Sequence, residues 1–140
     1  MSRDKTEKKA SDYYASGFNC AEAVLKATIE QRMSNVSPDL SKFATVLGGG
    51  VGGSREEMCG ALSGGVLAIG LLHGRTQPGV DVQKAKDLAT EFRQRFIKEF
   101  GTTNCGKLVE QFGEEHRSER CRQLTGTTAR LLSELLDEHS

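Results

Sequence analysis

The sequence predicts an all-α, single-domain bundle of about five to seven helices, with a glycine-rich helix at its centre. Three observations carry the prediction. Two prolines in 140 residues, with few β-branched runs, argue against an all-β chain. Helix-capping signals recur along the chain. Between them, apolar residues follow the 3.6-residue period of a helix rather than the alternation of a strand.

A polar first helix is expected from Asp4 to Ser16, with Gly17 as its stop. Asn19 then precedes Cys20, Ala21 and Glu22, an N-cap followed three residues later by an acid, close to a capping box. The helix it opens carries Ala21, Val24, Leu25, Thr28 and Ile29 on one face and ends near Ser34. Ser37-Pro38-Asp39 supplies a capping hydroxyl, a proline at the first helical position and an acid near the positive end of the dipole. That short helix runs through Phe43, Val46 and Leu47 and breaks at Gly48-Gly49-Gly50.

Ser54-Arg55-Glu56-Glu57 is an S-x-x-E box and is expected to open a buried, glycine-rich helix reaching Gly74. A buried strand from Val66 to Leu72 is the alternative, because a short apolar run does not separate the two. Asp81 is the expected cap of an amphipathic helix whose stripe includes Ala85, Leu88, Ala89, Phe92, Phe96, Ile97 and Phe100, ending at Gly101. Asn104 and Cys105 start a short helix through Leu108 and Phe112 to Gly113. From Glu114 the C-terminal stretch has a weak point at Gly126, then a firm run through Leu131, Leu132, Leu135 and Leu136. No linker, low-complexity segment or long-period repeat interrupts the chain, so residues 1–140 are expected to form a single four-cysteine helical domain.

Nineteen Lys and Arg balance nineteen Asp and Glu, and the formal net charge is zero. Without a basic field, nucleic acid is not an expected partner. The longest uncharged stretch, Met58 to Gly74, is short of the ~20 apolar residues of a spanning helix, so membrane insertion is not expected. Met1 to Lys9 contains no apolar secretory segment. The expectation is a soluble, cytoplasmic protein.

Cys20, Cys59, Cys105 and Cys121 are the only cysteines. None forms a C-x-x-C pair, so neither a thioredoxin-type motif nor a zinc knuckle is present. Cytosolic thiols are normally reduced and make poor permanent staples. Four small buried hydrophobes is the plain alternative. Against it, Cys20 follows Asn19 and Cys105 follows Asn104, so one Asn-Cys step stands at two expected helix starts. At the first helical position, free N–H groups and the dipole favour an anion and lower a thiol's pKa. Cys59 is expected one turn into its helix, with Arg55 on the same face and Glu56 and Glu57 opposing a thiolate. Cys121 lies between Arg120 and Arg122, with Arg117 one turn before it; these arginines either stabilise negative sulfur or form a solvated face.

Gly60 and Gly64, with Ser63 and Gly65 adjacent, leave one side of the central helix almost without side chains. Each interior glycine costs ~1 kcal/mol relative to alanine, tolerated where a backbone or a ligand must come close. Helix packing and a binding face formed by Gly49, Gly50, Gly60 and Gly64 both stay open. Gly48, Gly50 and Gly53 spell G-x-G-x-x-G, but a helix rather than a strand precedes them, so dinucleotide binding is not expected. Such a loop can still present N–H groups to an anion or to sulfur. His73 stands ~21 Å beyond Cys59 along a helix, and His116 diverges from Cys121 by about 140°. With His139 near the terminus, no metal or hydrolytic histidine arrangement is legible.

Cys59-Gly60-Ala61-Leu62-Ser63-Gly64 is a C-G-A-x-x-G centre. Phe18-Asn19-Cys20-Ala21 and Gly48-Gly49-Gly50 precede it; Cys105 and Cys121 follow. On these residues the chain resembles the small redox-active protein family named for its C–GCAxxG–C–C cysteine pattern. The resemblance spans most of the chain, in order, with no cysteine missing or left over. It implies redox activity at cysteine, a prokaryotic source, and a functional link to a transporter, since family genes often lie near transporter genes. It supplies no settled substrate or cofactor and does not make the chain an enzyme. By position, Cys20, Cys59, Cys105 and Cys121 carry over as the functional set.

Three functional classes follow. In the first, a thiolate at Cys20 or Cys105 attacks a disulfide or peroxide and a neighbouring cysteine resolves it, with a thiol, disulfide or electron-transfer partner. In the second, all four cysteines ligate an iron–sulfur cluster or zinc, with loop glycines donating N–H groups to sulfur; the lack of a close ligand pair counts against it. The third is a non-catalytic helical interaction module with inert core cysteines. The first two share a spatial expectation: all four cysteines converge near the Gly48–Gly53 loop and the Gly60–Gly64 face. Which cysteines would pair stays open among three connectivities. A small-residue helix face serves a homodimer as readily as a monomer's core.

Overall fold

A computed structural model describes residues 3–140, and helices account for most of them. Met1 and Ser2, which begin the stretch read for a secretory segment, lie outside the described residues. The elements are α1 (Arg3–Ser16), α2 (Cys20–Arg32), a 3-10 segment (Pro38–Leu47), α3 (Gly60–His73), α4 (Gln83–Phe100), α5 (Cys105–Phe112) and α6 (Arg117–Glu138), with a 3-10 turn at Glu114–His116. Among the described residues there is no strand, only one isolated antiparallel bridge between Met58 and Asn104. The fold is the expected all-α bundle. None of these helices is long and apolar enough to cross a membrane.

The core lies where α2, α3, α4 and α6 turn their stripes toward one another. Leu25 and Ile29 of α2, Leu62 and Ile69 of α3, Phe92 and Phe96 of α4, and Leu132 and Leu135 of α6 are all fully buried. Helix α3 is helical through Val66–Leu72, so the strand alternative does not hold. Its glycines explain how it sits among three neighbours. A Cβ on Gly64 would run into the Ala21 backbone of α2, standing 2.9 Å from its Cα, and one on Gly65 would strike the Phe92 ring of α4. Adjacent glycines thus let two helices close on α3 from two sides.

Two local expectations are overturned by distant contacts. Ser54 does not open a helix: its hydroxyl accepts from the Glu56 N–H and donates to the Gly50 carbonyl. Residues 55–59 instead run antiparallel to residues 103–106. The Cys59 N–H donates to Thr103 O at 2.7 Å, Cys105 N–H to Glu57 O at 2.9 Å and Gly106 N–H to Arg55 O at 2.9 Å. Those three bonds outcompete the S-x-x-E box, and α3 starts at Gly60 with Cys59 as its N-cap. Nor does Gly126 break the C-terminal helix. It is buried within an uninterrupted α6 and faces the Glu7 carbonyl of α1, to which a Cβ would stand 3.2 Å away. Asp81 accepts from the Gln83 N–H at 2.9 Å, as a cap should, although Val82 is the residue at the helix boundary.

Between the 3-10 segment and α3 the backbone turns left-handed. Gly49, Gly50, Val51, Gly52 and Gly53 have φ of 66°, 70°, 70°, 64° and 74°. For an L-residue with a Cβ that conformation costs roughly 1–2 kcal/mol, and Val51 is the one such residue in the run. Its side chain is 48% exposed, so little burial offsets the strain. Val51→Gly is therefore expected to stabilise the fold by about 1 kcal/mol after the added chain entropy of glycine. Urea denaturation should show a higher midpoint at unchanged slope; an unchanged or lower midpoint would mean the Val51 side chain makes a compensating contact.

Candidate functional site

Each Asn-Cys step builds the same device. Asn19 Oδ1 accepts from the Glu22 N–H at 2.9 Å, and Glu22 Oε1 accepts from the Asn19 N–H at 2.9 Å, which completes the capping box. The other end of the side chain, Nδ2, donates to the Thr45 carbonyl at 2.7 Å. Asn104 Oδ1 likewise accepts from the Lys107 N–H at 3.0 Å, while its Nδ2 donates to the Glu56 carbonyl at 3.0 Å. Each asparagine caps its own helix and clamps a distant segment beside it. Cys20 and Cys105 are thereby held at the first position of α2 and α5, as expected.

All four cysteines line one cavity of about 410 Å³, together with Gly49 and Gly53 of the left-handed loop. Phe18, Leu108, Phe112 and Leu124 supply apolar wall, and Tyr14, Arg55 and Arg117 supply its polar side. The thiols therefore converge on the glycine loop. None is in a disulfide: Cys59 is buried and the other three are half-buried.

Within the cavity, Cys20 and Cys59 act on each other directly. The Cys59 thiol donates a hydrogen bond to the Cys20 sulfur, the largest of the effects that hold the Cys20 pKa down at about 6. Burial works against ionisation, but backbone N–H groups of Gly49, Ala21 and Ala61 add to the lowering. Those donors come from the glycine loop, the start of α2 and the start of α3. The Cys20 sulfur thus sits where two helix N-termini meet a loop N–H. Gly60 makes this position available, since a Cβ there would stand 2.6 Å from the sulfur. Cys59 shifts oppositely. Its hydrogen bond to Cys20, its burial and the Cys20 charge raise its pKa well above the ordinary thiol value, against the N–H groups of Ala61 and Leu62.

Cys105 departs from expectation. Burial and then the Cys20 charge raise its pKa, against Arg55 and Arg117. Its place at a helix start does not help because the neighbouring amides are taken: Gly106 N–H goes to Arg55 O and Lys107 N–H to Asn104 Oδ1. Cys121 is raised to about 11, by burial first and then by Cys20, with Arg117 opposing. The arginines that flank it are engaged elsewhere. Arg120 lies over the Phe112 ring at 5.0 Å, and Arg122 bonds Ser11 and Asp12 of α1.

The glycines divide by task. Gly49 lines the cavity and donates to Cys20; Gly60 and Gly50 make room for the side chains of Cys20 and Cys105. Gly64 faces the α2 backbone and serves packing. Arg55 is not on a helix face below Cys59, as the expected helix would have it. It reaches across to Glu114, Nη1 to Oε1 at 2.6 Å and Nη2 to Oε2 at 3.4 Å, and Arg117 Nε joins the same carboxylate at 3.1 Å. Sequence spacing gave no hint of this Arg–Glu–Arg group or of Tyr14, whose positions depend on how α1, α5 and α6 pack.

Among the described residues, no group of three or more Cys, His, Asp or Glu side chains is placed to hold a metal ion. The four thiols share one cavity without being grouped there as ligands of a single ion.

No curated protein and no solved structure matches the chain. A family model described as Putative redox-active protein (C_GCAxxG_C_C) matches residues 18–135, a span that takes in all four cysteines, both asparagine clamps and the glycine loop, and the chain belongs to that redox-active family.

Proposed function

We propose that the protein carries out thiol–disulfide exchange, with Cys20 as the attacking thiolate and Cys59 as the resolving thiol. The observation that carries this reading is the set of donors on one sulfur: the Cys59 thiol and the N–H groups of Gly49, Ala21 and Ala61 all face Cys20. A thiolate stabilised in this way is ionised at neutral pH and is also a good leaving group. Cys105 and Cys121 stay protonated there and cannot begin the reaction on equal terms.

The steps balance without a cofactor. The Cys20 thiolate attacks one sulfur of a partner disulfide, forming a mixed disulfide and releasing the partner's other sulfur as a thiolate. Cys59 then attacks the Cys20 sulfur. A Cys20–Cys59 bond forms, the second partner thiolate leaves, and the Cys59 proton passes to a departing thiolate. Two protein thiols are oxidised by two electrons and one disulfide is reduced. The order of attack is built into the pair. While Cys20 is anionic, its hydrogen bond and charge hold the proton on Cys59; once Cys20 is in a mixed disulfide, both influences vanish. The amides of Ala61 and Leu62 then work against burial alone in favouring ionisation of the resolving thiol.

Cys59→Ser is the direct test. Exposed to a small disulfide, the variant should accumulate a mixed disulfide at Cys20, visible as an added mass on one Cys20-containing peptide. The unsubstituted protein should pass through that adduct to an internal Cys20–Cys59 bond. Adducts that collect on Cys105 or Cys121 instead, or an internal bond that forms without Cys59, would overturn the assignment.

A further inference from the structure

The cavity also carries information about what reacts with Cys20. We infer that its substrate is a low-molecular-weight disulfide bearing a carboxylate, held with its charge at Arg55 and Arg117 and its sulfurs over Cys20. This deepens the exchange reading and rests on it.

Size and depth favour a small molecule. A concave space of about 410 Å³ lies in the range of small-ligand pockets, and the resolving Cys59 at its wall is only 6% exposed. A disulfide on a folded protein surface would have to enter that space to be resolved. Charge narrows the class. No Asp or Glu side chain is among the described residues lining the cavity, whereas two arginines are. Both guanidiniums share the single carboxylate of Glu114, which lies outside the lining. Two cations against the one Glu114 carboxylate leave a positive charge at the arginines, which the Cys20 thiolate balances over the cavity as a whole. Arg55 spends both of its Nη donors on Glu114, whereas Arg117 bonds it through Nε, so the planar donor fork that matches a carboxylate is that of Arg117. Phe18, Leu108 and Phe112 give the same cavity apolar wall for the carbon chain of such a molecule. The charge at the arginines also offsets the repulsion an anionic disulfide would meet from the Cys20 thiolate.

The test needs no variant in its first arm. Fully reduced protein is mixed with 3,3′-dithiodipropionate, bis(2-hydroxyethyl) disulfide or cystamine, which carry two negative charges, none and two positive charges. The rate of Cys20 oxidation is divided by the rate of the same disulfide with a free small thiol, which removes intrinsic reactivity. The expected order is anionic, neutral, cationic, with a ratio of about tenfold between the extremes at low salt that shrinks as salt is added. Arg117→Gln and Arg55→Gln should each narrow that ratio to about threefold or less. Oxidation of Cys20 at equal normalised rates by all three probes, or a preference for cystamine, would overturn the substrate inference and leave the exchange reading standing. Failure of every probe to oxidise Cys20 would overturn the exchange reading and the inference with it.

Discussion

Cys20→Ser should remove the one thiol that titrates near pH 6 and leave three that stay protonated past neutrality. At pH 6 a thiol of pKa about 6 is roughly half ionised, whereas a thiol near 9 is ionised about one part in a thousand. The population advantage of about 500-fold is cut because a less basic thiolate is a weaker nucleophile, by a factor of ~20 over three pH units of basicity. Alkylation by iodoacetamide at pH 6 should therefore fall roughly 20-fold in the variant. The thiolate absorbance that grows in around pH 6 should disappear with it. If that step survived the substitution, Cys20 would not be the stabilised thiolate.

The same variant should change how stability depends on pH. Folding lowers the Cys20 pKa from an ordinary value near 9 to about 6. A depressed acid contributes stability that is fully present above pH 9 and is lost as pH falls through 6. Under reducing conditions the protein should thus gain stability between pH 6 and pH 9, and Cys20→Ser should flatten that rise. Cys59, Cys105 and Cys121 have raised values, so their effect has the opposite sign and sets in above pH 9. The two windows do not overlap, which makes the Cys20 contribution separable.

What could be read from the sequence is what local chemistry decides. Asn19 and Asn104 cap the helices they precede because a cap acts within four residues of itself. The start of α3 was not legible at Ser54, because it is set by bonds from residues 55–59 to Thr103, Cys105 and Gly106, far along the chain. The thiol chemistry divides the same way. A helix start favours a thiolate at Cys20 and Cys105 alike, and spacing treats them equally. They differ because the amides beside Cys105 are bonded to Arg55 and Asn104, while Cys20 gains a loop amide and an α3 amide. The glycines around Cys59 announced a close approach without saying by what. Gly60 meets a sulfur and Gly64 meets a backbone, four residues apart on one helix.

That second contact sets up the largest expected stability effect. A Cβ on Gly64 would meet the Ala21 carbonyl, its Cα at 2.9 Å and its carbonyl carbon at 3.0 Å, all backbone atoms. No rotamer change relieves such a clash, so α2 and α3 must move apart. Overpacking of this kind costs about 1–3 kcal/mol, occasionally more, while alanine returns ~1 kcal/mol of helix propensity. Because the clash is with backbone, the upper end of that range applies, and a net loss of about 2 kcal/mol is expected for Gly64→Ala by denaturation. Gly70 provides the contrast. It lies on the same helix with nothing within 4 Å of a Cβ, so Gly70→Ala should stabilise by up to about 1 kcal/mol. Opposite signs at two glycines of one helix would separate close approach from propensity. The chemistry should follow the packing, because Ala21 lies next to Cys20 and Ala61 lies one turn before Gly64. Separating α2 from α3 pulls the Ala61 amide and the Cys59 thiol away from the Cys20 sulfur together. Gly64→Ala should therefore also raise the pKa of Cys20 toward the ordinary thiol value, whereas Gly70→Ala should leave it near 6. A thiolate unmoved by Gly64→Ala, in a variant that is nonetheless destabilised, would show that the loop and α2 alone suffice to hold the charge.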